Sequence, residues 1–165
     1  MSTSVELMRY LAMQQACLQE LYNLLKDEEQ AIITVDTDRM NALNLLKESV
    51  NNRQRSIMLE GKEVLAAIAR KAGLPQNATI SQVIEKMEPR QQAELNVLHN
   101  GMTELAAKVK YTANNNRGML ERFLATVNDS LAFILRILNS SNIYGSSGVY
   151  LNHGRTSAMM VNREA

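Results

Sequence analysis

Histidine, cysteine and clustered carboxylates are the side chains of this sequence that could support catalysis or hold a metal ion. The chain has only two histidines, His99 and His153, and it contains no Glu-x-x-His or His-x-x-x-His spacing. A di-iron site in a helical bundle draws its ligands from such spacings. We expect the lone Cys17 to have no nearby lysine or arginine and no helix N-terminus that would favour the thiolate. We therefore expect no enzyme, no metal site and no other cofactor.

Polar residues at three positions interrupt otherwise apolar helical stripes, namely Lys47, Gln54 and Asn116. They could form a buried polar site, or they could set the register between helices. We favour the second interpretation, because polar residues on a helical seam usually specify alignment. Glu28 lies about one turn from facing Lys47 across the predicted hairpin. We therefore predict a partly buried ion pair, and we assign Glu28 to the same set of structural seam residues.

Helices must position these side chains, and the composition favours helices only. Hydrophobic residues make up 45% of the 165 residues, aromatic residues only 4%, and tryptophan is missing. Leucine and methionine fill helix–helix seams, whereas strands favour aromatic and β-branched residues. The fold class predicted is all-α: an elongated, antiparallel, coiled-coil-like bundle of three long or medium helices and one short helix, followed by a flexible C-terminal tail.

Apolar side chains at steps of three and four predict helices over about 5–33, 37–71, 80–87 and 89–138. Asp36 or Thr37 can cap the second helix, and Gly73 can end it in a left-handed conformation. Thr79 and Gln82 form a capping box before the short helix. We expect these helices to form one bundle domain over 1–138, with the fourth helix as its longest element.

The charge and the apolar runs limit the partners and the location. A net charge of +1 offers no basic face for nucleic acid. The longest apolar run, 131–138, is interrupted by Arg136 and is too short to span a bilayer, so we expect no stable membrane insertion. One cysteine and no visible signal peptide favour a cytoplasmic location.

The last residues, 139–165, lose the helical period and are rich in serine, asparagine and glycine. They nevertheless carry a set of apolar side chains: Ile143, Tyr144, Val149, Tyr150, Leu151, Met159, Met160 and Val161. Such a tail can fold when it binds a partner, or its apolar residues can dock on the chain's own bundle. The composition leaves both interpretations open.

Several short motifs, taken in order, resemble the FlgN family. Glu28 and Glu29 precede the turn of the first hairpin and Lys47 follows it. Residues 116–120 are similar to the family's Asn-x-x-Leu-Leu, with methionine for the first leucine. Residues 144–148, Tyr-Gly-Ser-Ser-Gly, are similar to its Tyr-Gly-x-x-Gly. The resemblance covers the whole chain in layout.

The resemblance implies a cytoplasmic chaperone of flagellar type III export. Such a chaperone binds the C-terminal helical ends of the hook–filament junction proteins FlgK and FlgL and delivers them to the export gate. It implies that the region after the last helix binds the client, and that the motif tyrosine contributes to docking at the gate protein FlhA. The residues expected to bind the client or the gate are Tyr144, Gly145, Gly148, Tyr150, Leu151, Met159, Met160 and Val161.

The end of the long helix is expected to contribute to the same site, because its apolar stripe can extend past the hairpin. The client-facing residues predicted there are Leu131, Ile134, Leu135 and Leu138. The alternative function is a structural coiled-coil module that forms homo-oligomers through its seams and has no client specificity.

Overall fold

A computed structural model describes residues 3–141, with side chains from 4 to 138. Four helices follow one another in that range, and it contains no strand: α1 (Thr3–Ile33), α2 (Thr37–Lys71), α3 (Ile80–Ile84) and α4 (Pro89–Ser141). The predicted all-α class is therefore confirmed. The predictions for residues 142–165 lie outside the described range.

Three of the predicted helix boundaries differ from the structure. Helix α1 begins at Thr3 rather than near residue 5, and α4 continues to Ser141 rather than ending near 138. Helix α3 ends at Ile84, whereas the prediction extended it to 87. The backbone N–H of Met87 donates to Ile84 O at 3.0 Å, a bond that belongs to a tight turn rather than to an α-helix. The apolar pattern does not report this change of hydrogen bonding.

The helix ends follow the predicted capping chemistry. Asp36 caps α2, with its carboxylate accepting from the backbone N–H of Arg39 at 3.0 Å. Thr79 and Gln82 form the predicted capping box of α3. Gly73 has a φ of +68°, in the left-handed region that ends α2. These local signals explain why the bounds of α2 agree with the prediction.

The three long helices alternate in direction along the chain. Helices α1 and α2 are antiparallel, because Gln14 contacts Gln54 while Glu28 contacts Lys47. Helix α4 runs parallel to α1, because Gly101 lies beside Gln15 and, further along both helices, Asn116 donates to Glu28. The core cluster lies at the end where α3 closes over the hairpin; its buried residues are Leu7, Leu11, Ile68, Val83, Ile84 and Leu95.

The chain divides into two compact units within α4. The first unit ends at Glu121 and contains α1, α2, α3 and the first part of α4. The second begins at Arg122, and its described part is the remainder of α4. The predicted division at 138 and 139 stays a prediction. Within residues 3–141, no helix combines the length and apolar character needed to cross a membrane.

Gly61 allows α1 and α2 to approach closely. A Cβ atom at this position would overlap ring atoms Cε2 and Cζ of Tyr10. Burial raises the pKa of the Tyr10 hydroxyl above its ordinary value, and the nearby Gln14 side chain partly opposes this effect. At Gly118, by contrast, an added Cβ would meet no side chain and no other helix within 4 Å.

Alanine at these two glycines is expected to change stability in opposite directions. Gly118→Ala should raise the free energy of unfolding by about 0.5–1 kcal/mol, because alanine favours the helix. Gly61→Ala should lower it by about 1 kcal/mol or more, since displacing the Tyr10 ring costs more than the helix propensity returns. Urea titrations followed by circular dichroism would measure both values. A stabilised Gly61→Ala protein would contradict the close packing.

Candidate functional site

The second unit of the chain exposes a continuous set of large apolar side chains on α4. Each of them is at least 36% exposed, and we call this set the α4 apolar face: Phe123, Leu124, Val127, Leu131, Phe133, Ile134, Leu135, Ile137 and Leu138. Earlier in the same helix the apolar stripe is buried, with Leu95 at 0% and Leu105 at 8% exposure. Monomeric proteins rarely expose a contiguous apolar surface of this size unless it binds a partner.

The alignment of α1 with α4 shows how far along α4 the first helix covers the apolar stripe within the first unit. Glu28 meets Asn116, so Ile33, the last residue of α1, falls level with α4 near Glu121. The polar side of α4 continues past this point through Arg122, Asp129 and Arg136, which recur every seven residues opposite the apolar face. The described part of the second unit is therefore an amphipathic helix with its apolar side exposed, a form suited to binding another amphipathic helix.

The four residues predicted to face a client all belong to this surface. Leu131, Ile134, Leu135 and Leu138 are 53%, 50%, 58% and 55% exposed. Their role in binding stays a prediction. The residues predicted to bind in the tail, from Tyr144 to Val161, lie outside the described range.

Sequence reasoning did not assign the aromatic part of this surface to the site. Phe123 and Phe133 are the only two phenylalanines of the chain, and both lie on the α4 apolar face. The sequence did contain a signal for them, because both lie in the apolar last part of α4 and aromatic side chains are enriched at protein interfaces.

A buried polar cluster ties α4 to the hairpin in the first unit. Glu28, 6% exposed, accepts hydrogen bonds from Lys47 Nζ and from Asn116 Nδ2, the latter at 2.9 Å. Asn116 Nδ2 also donates to Leu25 O at 2.8 Å. The predicted ion pair between Glu28 and Lys47 is thus confirmed. Because its members come from three helices, the cluster fixes their relative register.

Gln54, the remaining polar residue on the helical seams, forms a hydrogen bond with Gln14, which lies on the seam of α1. Gln54 Nε2 donates to Gln14 Oε1 at 3.0 Å across the hairpin. Gln14 Nε2 and Gln54 Oε1 have no hydrogen-bond partner, so each amide is only half satisfied. This arrangement agrees with a register role, because only one alignment of α1 and α2 brings the two amides together.

The first unit also carries a groove between the hairpin and α4. This groove, of about 540 Å³, has a floor formed by Leu21, Leu25, Val109 and Ala113, and α2 lines its side with Lys47, Arg55 and three asparagines. Among residues 3–141, no three His, Cys, Asp or Glu side chains lie close enough to hold a metal ion.

The surroundings of Cys17 differ from the expectation. Arg53 of α2 lies beside it, and both line a small cavity with Glu20. A hydrogen bond with Cys17 and the charge of Glu20 raise the pKa of Arg53. The expectation that no basic residue is near this cysteine was therefore wrong, because the neighbour comes from another helix. Cys17 itself is buried, at 4% exposure.

A family model for the FlgN protein matches residues 1–152. The chain belongs to the FlgN family. The match includes all four helices and the 144–148 motif, whereas residues 153–165 lie beyond it. Comparison with curated proteins and with solved structures gives no match. FlgN proteins are flagellar export chaperones rather than enzymes, so this chain is a flagellar export chaperone and the resemblance is confirmed.

Proposed function

We propose that this FlgN-family chain binds the C-terminal amphipathic helices of the junction proteins FlgK and FlgL, and that it does so in the cytoplasm. The client site consists of the α4 apolar face together with residues 139–165, apart from Tyr144. The observation that carries this proposal is the exposure of nine large apolar side chains on one side of a helix.

The physical basis is the burial of apolar surface between two helices. The client's helical ends carry an apolar face that would associate with other copies before assembly. Laying that face on α4 removes both apolar surfaces from water, and each half-exposed leucine or phenylalanine contributes on the order of 1 kcal/mol. Binding needs no nucleotide and no metal, because the free energy of burial holds the client until the export machinery removes it.

The second step of the proposed function is delivery to the export gate. Tyr144 matches the tyrosine of the family's Tyr-Gly-x-x-Gly motif and lies within the residues that the family model matches. We assign it to docking at FlhA, separate from the apolar contacts that hold the client. Client binding and gate docking should therefore respond to different substitutions.

Removal of residues 142–165 is expected to weaken binding of a FlgK C-terminal peptide at least about tenfold, a loss of roughly 1.4 kcal/mol. The truncated chain should keep its helical circular dichroism signal, because all four described helices lie within residues 3–141. Titration calorimetry measures the affinity. Tyr144→Ala is the matched control: it should keep peptide binding and lose capture of the FlhA cytoplasmic domain. Unchanged peptide affinity after truncation would remove the tail from the site.

The alternative, a coiled-coil module without client specificity, is favoured by one observation. The steps between Leu124, Val127, Leu131, Ile134 and Leu138 alternate strictly between three and four, as in a coiled-coil seam. That function requires a mass that rises with concentration in light scattering, and no binding of FlgK or FlgL peptides.

A further inference from the structure

The α4 apolar face is wider than the seam that one partner helix occupies. Successive residues of a helix are about 100° apart, so the face spans roughly 200° of the circumference, against a little over 100° for an ordinary apolar stripe. It has a central line, Val127 and Ile134, and two edges. The edge that we call the Leu edge consists of Leu124, Leu131, Leu135 and Leu138, and the one that we call the Phe edge consists of Phe123, Phe133 and Ile137. A surface of this width accommodates two segments side by side.

The two edges differ in regularity and chemistry. Three residues of the Leu edge, Leu124, Leu131 and Leu138, combine with the central line to give an unbroken alternation of three- and four-residue steps, which suits a long regular helix. The Phe edge is interrupted by Ser130, whose hydroxyl donates to Thr126 O at 2.8 Å, and it carries both phenylalanine rings. Such a surface suits a shorter segment with methionine, because thioether sulfur makes favourable contacts with aromatic rings.

The chain itself supplies a segment of this kind next to the face. Helix α4 ends at Ser141, soon after Leu138, and residues 142–165 follow directly. Residues 142–148 include Gly145 and Gly148 and extend to roughly 23 Å, enough to reverse direction. Residues 149–161 then span between about 20 Å as a helix and 43 Å when extended, which compares with about 25 Å for the face.

We propose that residues 149–161 return along the Phe edge, with Met159 and Met160 against the phenylalanine rings, and that the client helix binds the Leu edge beside them. The inference rests on the proposed function for the client and adds the arrangement of the site. In this arrangement residues 149–161 contact both α4 and the client, and both edges of the α4 apolar face are buried. The tether keeps the segment at an effective concentration in the millimolar range.

Disulfide formation within one chain tests this arrangement without any client. In a Cys17→Ala background, Ser130→Cys with Ala158→Cys should form an intramolecular disulfide at least about tenfold faster than Ala132→Cys with Ala158→Cys. Both α4 positions are small and exposed, but Ser130 is on the Phe edge and Ala132 is on the polar side. Gel mobility after mild oxidation at low protein concentration measures the two rates.

A third variant separates a specific contact from the mere proximity of the tail. Adding Met159→Ser and Met160→Ser to the Ser130→Cys pair should bring its rate down to that of the Ala132→Cys pair. Equal rates for the two original pairs would overturn the proposal. This experiment contains no FlgK peptide, so equal disulfide rates would contradict tail docking without bearing on client binding. Unchanged peptide affinity in the calorimetric titration would contradict the client site without bearing on the disulfide rates.

Discussion

Aspartate at both Leu131 and Ile134 is expected to lower the affinity for a FlgK C-terminal peptide at least about 100-fold, a loss of roughly 2.7 kcal/mol. Leu131 is on the Leu edge of the α4 apolar face and Ile134 is on its central line; they are 53% and 50% exposed, so the free protein tolerates the charge. In the complex each carboxylate would be removed from water without a partner, which costs several kcal/mol. Titration calorimetry with the peptide measures the loss.

The matched control adds the same two charges on the opposite side of the same helix. Ala125→Asp with Ala132→Asp should leave peptide affinity within about twofold, because both positions are exposed on the polar side of α4. Circular dichroism should report similar helicity for the two double variants, since aspartate has a low helix propensity at all four positions. Equal losses of affinity for both variants would contradict the α4 apolar face as the client site.

Lys47→Met is expected to lower the free energy of unfolding by about 2–3 kcal/mol. The substitution leaves Glu28, which is 6% exposed, without its cation, and only the Asn116 amide remains to stabilise the buried carboxylate. Removing one member of a buried ion pair costs more than the pair contributes as a whole, because the remaining charge stays desolvated. Urea denaturation followed by circular dichroism measures the change.

The chain offers an exposed counterpart of this pair on the same two helices. Arg53 and Glu20 also join α2 to α1, with side chains 52% and 50% exposed. Arg53→Met should therefore change the free energy of unfolding by less than about 1 kcal/mol. Replacing both Glu28 and Lys47 with apolar residues should recover most of the loss caused by Lys47→Met. A stability unchanged by Lys47→Met would show that the helices do not need the pair.

The predictions that agreed with the structure rest on interactions between residues close together in the chain. The bounds of α2 follow from the Asp36 cap and from Gly73, and the start of α3 follows from its capping box. The ion pair between Glu28 and Lys47 was also predictable, because a short connection fixes the register of a hairpin. The end of α3 was not predicted, since a change from α-helical to tighter hydrogen bonds leaves the apolar spacing unaltered.

Part of the candidate site was predictable for the same reason. The pattern identified Leu131, Ile134, Leu135 and Leu138 as one side of a helix, and all four lie on the exposed face. It did not identify the two phenylalanines as part of that surface. Nor did it bring Arg53 next to Cys17, because residues on different helices become neighbours only through packing.

By itself, the sequence determined that this chain is helical, where its helices are capped, and that α4 is amphipathic along its whole length. Only the tertiary structure decided which part of the apolar stripe of α4 is buried and which part is exposed. At Leu95 the stripe is core, whereas at Leu131 it is exposed surface. The physical reason is that periodicity reports which side of a helix is apolar, while burial depends on whether another helix reaches that level of it.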